Sequence, residues 1–213
     1  MSVKSAYYEQ LANTLIPKME KRNFEVCYCP TKEDAMNKVL SYFQDGSSIS
    51  WGGSETLEEI GLIPYLKSGN HSYQVYDRKS AKTKEEKKEI FSKIFTCDYF
   101  LMSSNAITLD GELVNIDGTG NRVACLCYGP ENVIVVVSLQ KITKNVEQAY
   151  DRIRNIASPL NGFRLNLDTP CHAKSQCYDC HSPACMCCQL VTTRFSQVPK
   201  RIKVILLGEE CGF

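Results

Sequence analysis

Short apolar runs alternate with segments of helical periodicity along the chain, and this alternation predicts a layered α/β protein. Near the start, apolar residues recur at helical spacing at Tyr8, Leu11, Leu15 and Met19. Apolar runs bounded by turn residues predict strands at 24–29, 47–51, 72–76, 98–103, 132–137 and 201–207. The run at 132–137 is rich in β-branched residues, which is typical of a strand buried on both faces of a parallel sheet. We therefore predict an α/β fold with a mostly parallel sheet flanked by helices.

Capping residues and turns mark the boundaries of the remaining predicted elements. Capping boxes predict three helix starts, at Thr31 with Asp34, Thr56 with Glu59, and Thr83 with Glu86. Further helices are predicted at 122–128 and 146–157. The Asp110-Gly111 pair between two apolar runs is a strong signal for a β-hairpin. No internal repeat or low-complexity linker interrupts the pattern, so we expect a single domain over residues 1–213.

Two glycine loops each join a predicted strand to a predicted helix. Their residues are Gly52, Gly53, Ser54 and Thr56 in the first, and Gly118, Thr119, Gly120, Asn121 and Arg122 in the second. Backbone N–H groups at such junctions bind anions, and ligands of parallel sheets bind beyond the carboxyl ends of the strands. The Arg122 guanidinium suits a carboxylate or phosphate, and Asn105 lies near it in sequence. We predict a small-anion pocket here, although the first loop matches no phosphate-binding motif and is equally explained by a capped turn.

Acid–base chemistry has candidates but no defining pattern. Glu55, Glu58 and Glu59 follow the first glycine loop and could transfer protons, yet a solvated helix start explains them equally well. No Ser–His–Asp set is evident. A catalytic Cys–His pair remains a possible nucleophile, because the chain has so many cysteines.

Composition excludes several functional classes. The formal net charge is +1, from 25 Lys and Arg against 24 Asp and Glu, which predicts neither a nucleic-acid nor a membrane-surface partner. Residues 1–10 contain no apolar stretch typical of a signal peptide, and no apolar run approaches the ~20 residues of a spanning helix. We therefore expect a cytoplasmic protein.

A cysteine-rich segment at 169–190, TPCHAKSQCYDCHSPACMCCQL, precedes the last predicted strand. Six of the twelve cysteines lie in it, and such thiols in a reducing compartment favour metal binding over disulfides. Thiolates select zinc, copper(I) or iron–sulfur clusters. His172 and His181 could replace a thiolate, although outward-facing histidines are the simpler interpretation. We predict core positions instead for the cysteines that fall within apolar strand and helix patterns: Cys27, Cys29, Cys97, Cys125 and Cys127.

Three motifs taken together resemble the LUD-domain family of lactate utilisation proteins. They are SWGGSETLEEIGL, DYFLMSSNAITLDGELVNIDGTGNRVA and YGPENVIVVV, and the likeness extends over nearly the whole chain. The resemblance implies a fold similar to that of NagB, RpiA and the CoA transferases. It also implies a link to the oxidation of lactate to pyruvate, beside iron–sulfur partner subunits, without fixing a reaction for this chain.

The same resemblance implies a particular set of metal ligands. Family members with this ending carry a pattern that maps onto Thr169-Pro170 and the cysteines Cys171, Cys177, Cys180 and Cys187. It favours a [4Fe–4S] cluster as the cofactor, with zinc as the alternative. The additional thiols of Cys185 and Cys188 depart from the pattern and leave the fourth ligand open.

Three hypotheses follow for function. The first is a redox-associated protein with a small-anion pocket and an iron–sulfur cluster. The second is an enzyme of the CoA-transferase or sugar-phosphate isomerase type that uses one of the three glutamates. The third is a protein in which a structural zinc ion pins the cysteine segment.

Overall fold

The main sheet of the protein contains six parallel strands. The computed structural model describes residues 2–213, so Met1 of the predicted domain lies outside the described residues. The spatial order of the strands is β1-β10-β7-β4-β2-β3. Their bounds are β1 Glu25–Cys29, β2 Ser48–Trp51, β3 Gln74–Tyr76, β4 Tyr99–Met102, β7 Asn132–Ser138 and β10 Ile202–Leu207. The predicted fold class, an α/β protein with a mostly parallel sheet flanked by helices, is confirmed.

A second, four-stranded sheet lies beside the first, with the order β8-β5-β6-β9. Its strands are β5 Ala106–Thr108, β6 Leu113–Asp117, β8 Ile142–Thr143 and β9 Gln189–Thr193. Strands β5 and β6 pair antiparallel around the Asp110-Gly111 turn, as the sequence predicts. Strand β9 begins at Gln189, in the last two residues of the cysteine segment, and pairs antiparallel with β6. The sequence analysis predicted no strand between the cysteine segment and the last strand at 201–207, so β9 is an additional element, and it joins the second sheet.

Helices cover both faces of the main sheet. They are α1 Val3–Glu20, α2 Lys32–Leu40, α3 Glu55–Glu59, α4 Leu62–Ser68, α5 Lys84–Phe95, α6 Asn121–Cys127, α7 Val146–Arg152, α8 Ser158–Leu165 and α9 Pro170–Lys174. Short 3₁₀ turns occur at Arg78–Ser80 and Leu139–Lys141, and a π-helical turn at Ile153–Ala157 joins α7 to α8. The helix predicted to end at residue 157 thus continues through this turn to Leu165.

Strand β7 shows why a hydrophobic core forms on each face of the main sheet. Val133, Val135 and Val137 point into the core beneath α1, α5 and α6, whereas Ile134 and Val136 point into the core beneath α2, α3 and α4. All five side chains are fully buried, so the β-branched run fills both faces of the sheet as predicted. This packing holds the carboxyl ends of the neighbouring strands at one edge of the sheet.

Two local predictions need correction. The capping boxes at Thr31 and Thr83 are present, but α3 is capped by Ser54, whose side chain accepts from the Leu57 N–H, and Thr56 lies inside the helix. Among the cysteines predicted to be core residues, Cys29, Cys97 and Cys125 are buried and Cys27 is partly buried, whereas Cys127 is exposed. Cys127 is the last residue of α6, and its side chain is exposed although those of Cys125 and Leu126 before it are buried.

Candidate functional site

A polar cavity of about 250 Å³ lies at the carboxyl edge of the main sheet, and we call it the edge cavity. It falls below the ~300–1,000 Å³ typical of pockets for drug-sized ligands, so it suits a small molecule. It is lined by eight of the ten residues predicted to bind a ligand: Gly53, Ser54, Thr56, Asn105, Gly118, Thr119, Asn121 and Arg122. The other two, Gly52 and Gly120, support the loops without lining the cavity.

Three basic residues that the motif analysis missed also line the edge cavity. Arg78 follows β3, Lys141 follows β7, and Arg164 lies on α8. With Arg122 they place four basic side chains around the space, against the two carboxylates of Glu55 and Asp117. The signal that could have found Arg78 and Lys141 is their position just after a predicted strand of the parallel sheet.

Lys141 is the most unusual of these residues. Its side chain is only 2% exposed, and its ammonium nitrogen donates to Thr56 Oγ1 at 2.9 Å and to Ser103 Oγ at 3.4 Å. Within residues 2–213 no carboxylate forms a salt bridge with it. Burial, aided by the positive charge of Arg152, lowers the pKa of Lys141 to about 7. The residue can therefore gain or lose a proton near neutral pH.

Arg122 organises the cavity wall, and its donors are already engaged. Its guanidinium donates to the Ser103 and Ile116 carbonyl oxygens and to the side-chain oxygens of Asn105 and Asn115, at 2.7–2.9 Å. It also lies 3.5 Å from Asp117 Oδ1. The predicted grip of Arg122 on a ligand therefore has few donors left to make it. Its main contribution is to hold the loops that follow β4 and β6.

Gly52 is required for this arrangement. A Cβ atom at position 52 would lie 2.8 Å from Arg122 Cγ and 2.9 Å from Cδ, which is closer than carbon atoms approach one another. The first glycine loop thus leaves room for the Arg122 side chain to pass beneath it. The sequence pattern of the loop predicts an anion site, but Gly52 itself serves to let the Arg122 side chain pack.

The N-terminus of α6, which follows the second glycine loop, is already occupied by a side chain of the protein itself. Asp117 Oδ2 accepts from the backbone N–H groups of Arg122 and Val123, at 3.0 and 3.4 Å, and Gly120 is the N-cap of α6. This carboxylate takes the place that an external anion was predicted to fill. Arg164 keeps more of its donors available than Arg122 does, because only Nε and Nη2 are engaged, both with Asn161 Oδ1 at 2.9 and 2.6 Å, and Arg78 also faces the cavity.

The glutamate candidates separate clearly. Glu55 lines the edge cavity and lies 3.7 Å from Arg164. Glu58 and Glu59 do not line it, and Glu59 instead accepts from the Gly212 N–H at 3.1 Å and pairs with Lys32. Only Glu55 is placed to act on a ligand in this cavity.

A second cavity, of about 470 Å³, is lined by every cysteine of the cysteine segment, and we call it the cysteine cavity. Those side chains are Cys171, Cys177, Cys180, Cys185, Cys187 and Cys188. Cys171 lies on α9 beside Thr169, and the Cys187 thiol contacts Ser158 Oγ at 3.3 Å. Between α9 and β9 the segment forms no regular secondary structure.

The thiols of the cysteine cavity are the possible ligands of a metal. Within residues 2–213, no group of three or more His, Cys, Asp or Glu side chains is arranged so that it could hold a metal ion. The chemistry nevertheless fits a soft metal or cluster, because six thiols face one cavity. The Ser182 N–H lowers the pKa of the Cys180 thiol, whereas burial raises that of Cys187 to about 11. His172 donates from Nδ1 to the Leu167 carbonyl oxygen at 2.7 Å and does not line this cavity.

The two cavities share part of their walls. Ile116, Ser158 and Met186 line both of them. A Cβ atom on Gly118 would lie 3.3 Å from Met186 Cα, so the glycine lets the cysteine segment pack against the second glycine loop. The Cys188 N–H also donates to the Asp117 carbonyl oxygen at 3.0 Å. The cysteine segment and the edge cavity are therefore directly connected.

Comparisons with known proteins agree with this architecture. The model of the LUD domain family matches residues 12–207, which is most of the chain. The chain belongs to the LUD domain family. The family links this LUD domain to lactate utilisation. No curated protein matches the sequence.

One solved structure shows the same fold. The LUD domain is similar to a crystal structure of a DUF162 family protein from Deinococcus radiodurans, with a TM-score of 0.56 and 9% identity over 94% of this chain and 98% of that one. A structure of eIF2B delta from Chaetomium thermophilum aligns with a TM-score of 0.35 and 20% identity, over 67% of this chain and 54% of that one. Within residues 2–213 of the LUD domain, no helix is long and apolar enough to span a membrane.

Proposed function

We propose that this LUD domain is a redox-associated component of lactate oxidation to pyruvate. It binds a small carboxylate in the edge cavity, beside an iron–sulfur cluster held by the cysteine segment. The observation that carries the proposal is the common wall of the two cavities, formed by Ile116, Ser158 and Met186. A ligand in one cavity and a cofactor in the other would be neighbours.

The ligands proposed for the cluster are Cys171, Cys177, Cys180 and Cys187, with a [4Fe–4S] cluster favoured over zinc. A bound cluster supplies one-electron transfer at a potential set by hydrogen bonds and solvent exposure. The segment between α9 and β9 has no regular secondary structure, so metal binding would provide much of its order. Free thiols of this kind suit a cytoplasmic protein.

The edge cavity supports carboxylate binding through charge and shape. Arg78 and Arg164 present guanidinium groups to a space of about 250 Å³, and Lys141 adds an amine at its buried end. Carboxylates accept well-oriented pairs of hydrogen bonds from guanidinium groups. Arg122 would position the cavity wall without binding the ligand directly. Iron–sulfur subunits of a lactate oxidation system are the proposed partners.

Metal analysis of anaerobically purified protein tests the cluster. We expect iron and acid-labile sulfide in equal amounts, a broad visible absorbance, and loss of most iron in Cys180→Ser. The matched control is Cys127→Ser, because Cys127 is exposed on α6 and lies outside the cysteine segment. Stoichiometric zinc without iron under anaerobic conditions would overturn the cluster and favour the structural-zinc hypothesis.

Calorimetric titration with lactate and pyruvate tests the edge cavity. We expect binding that weakens about tenfold or more in Arg164→Gln, since a hydrogen bond to a charged group contributes about 1.5–3 kcal/mol. Lys87→Gln is the control, because Lys87 is exposed on α5 and does not line the cavity. Equal affinity in Arg164→Gln and the unmodified protein would contradict the placement of the carboxylate.

A further inference from the structure

Lys141 has a function that charge attraction alone does not explain. Simple anion binding is served by a protonated, solvent-accessible lysine, whereas this amine is buried at the inner end of the edge cavity. Its partners, Thr56 Oγ1 and Ser103 Oγ, are both neutral hydroxyls. A neutral environment of this kind favours an amine that reacts as a nucleophile.

The C-terminal residues cover the amine. A Cβ atom on Gly212 would lie 3.0 Å from Lys141 Nζ and 2.4 Å from Thr56 Oγ1, so the backbone at Gly212 packs directly against this pair. Gln140 fastens the same backbone by donating to the Cys211 and Gly212 carbonyl oxygens, at 3.2 and 2.8 Å. The amine is therefore excluded from bulk water and reachable through the edge cavity.

We propose that Lys141 captures a short 2-oxo acid as a Schiff base in the edge cavity. This deepens the proposed function and rests on it, because Arg78 and Arg164 must hold the carboxylate while the carbonyl carbon meets the amine. The cavity volume of about 250 Å³ favours a short chain such as that of pyruvate. Burial favours the neutral amine and lowers the pKa of Lys141 to about 7, so a large fraction is reactive at neutral pH.

The chemistry balances without an external oxidant or reductant. The nitrogen lone pair of Lys141 forms a bond to C2 of the oxo acid, and the C2–O π bond breaks to give a carbinolamine. In all, two protons pass from the nitrogen to the C2 oxygen, the C2–O bond breaks as the oxygen leaves as water, and the nitrogen forms a second bond to C2. The Ser103 and Thr56 hydroxyls lie within hydrogen-bond distance of the amine and can relay these protons. Hydrolysis reverses every step.

Reductive trapping tests the proposal. The anaerobically purified full chain is incubated with pyruvate and sodium cyanoborohydride near pH 7, and the peptides are mapped by mass spectrometry. We expect one adduct, on Lys141, whose added mass equals pyruvic acid less one oxygen atom. Exposed lysines lie outside the edge cavity and have no guanidinium pair to hold the carboxylate beside them, so they should react far less. Lys141→Arg should abolish the adduct, and the control Lys87→Met should keep it.

Two further experiments distinguish a failure of the Schiff-base proposal from a failure of the proposed function. Acetone has a carbonyl group but no carboxylate, so it should label Lys141 much less than pyruvate does. Lactate has the carboxylate but no carbonyl, so it should bind in calorimetry and give no adduct. Pyruvate adducts spread over exposed lysines, with Lys141 unmodified and lactate still bound, would overturn the Schiff base alone. Absence of lactate and pyruvate binding altogether would overturn the proposed function as well.

Discussion

Replacing Lys141 with methionine should change the pH dependence of the stability of the fold. The pKa of Lys141 falls from an ordinary 10.5 to about 7 in the folded protein, because burial penalises its charge. Each pKa unit corresponds to about 1.4 kcal/mol, so the buried charge costs the folded state about 5 kcal/mol at low pH. Methionine is similar in length and carries no charge, so Lys141→Met should be the more stable protein at neutral pH.

The sign of the pH dependence follows from proton binding. Between pH 7 and pH 10.5 the unfolded chain binds a proton at this lysine more readily than the folded protein does, so stability rises with pH. The destabilising effect is complete below about pH 7 and disappears as the pH approaches 10.5. The stability advantage of Lys141→Met should therefore shrink by about 2–3 kcal/mol between about pH 7 and about pH 9.

Neighbouring groups do not produce the same slope. Arg152 and Arg122 lower the pKa of the lysine, and Cys211 and Glu59 raise it. The pKa of Cys211 is raised to about 12 by burial, and that of Glu59 is lowered chiefly by its hydrogen bonds with Cys211 and Gly212 against the effect of burial. Cys211 and Glu59 do not change their charge between about pH 7 and about pH 9, and both are present in the wild type and in Lys141→Met.

Urea unfolding followed by fluorescence or circular dichroism, at several pH values, measures the difference. Lys87→Met is the control, because Lys87 is exposed on α5 and its replacement should leave the pH dependence unchanged. A stability difference between Lys141→Met and wild type that stays constant from about pH 7 to about pH 9 would refute the reasoning.

Three other substitutions test the packing around the edge cavity and one helix start. Gly52→Ala should lower the free energy of unfolding by about 1–3 kcal/mol, because the new Cβ would lie 2.8 Å from Arg122 Cγ. Gly162→Ala is the control, since its Cβ would make only ordinary contacts. Equal unfolding midpoints for the two variants would contradict this prediction. Arg122→Leu should cost about 3–5 kcal/mol in urea unfolding, because it leaves buried carbonyl and amide oxygens without donors; a loss below about 1 kcal/mol would show that water replaces the guanidinium. Thr83→Ala should cost about 1 kcal/mol by removing the cap of α5, and an unchanged thermal midpoint would argue against the capping box.

Much of the fold follows from local sequence signals. The β-branched run of β7, the Asp110-Gly111 turn and the capping boxes at Thr31 and Thr83 each depend on residues close together in the chain. Strand β9 was missed because its residues, Gln189–Thr193, are half exposed and directly follow the cysteines. Its pairing with β6 is a long-range contact that periodicity does not reveal.

In the candidate site, too, the features that depend on local sequence could be predicted and those that depend on distant contacts could not. The glycine loops identified the correct edge of the sheet, since strand-to-helix junctions are recognisable locally. The functions of their residues depended on contacts that the sequence does not show: Gly52 makes room for a side chain 70 positions away, and Asp117 fills the helix start. Lys141 was missed because an isolated lysine after a strand looks like any surface lysine until its burial is known.

The pairing of β6 with β9 connects the walls of the two cavities, so the proposed carboxylate and the proposed metal centre would be thermodynamically coupled. Asp117 pairs with Gln189, and its carbonyl oxygen accepts from the Cys188 N–H. Its Oδ2 accepts from the Arg122 N–H, so Asp117 links the end of the cysteine segment to the start of α6. If ordering the cysteine segment tightens the edge cavity and raises its affinity for a carboxylate by some factor, the carboxylate must raise metal retention by the same factor. A cell that accumulates the proposed carboxylate would then protect the proposed metal centre from loss, and a cell that lacks the carboxylate would lose the metal.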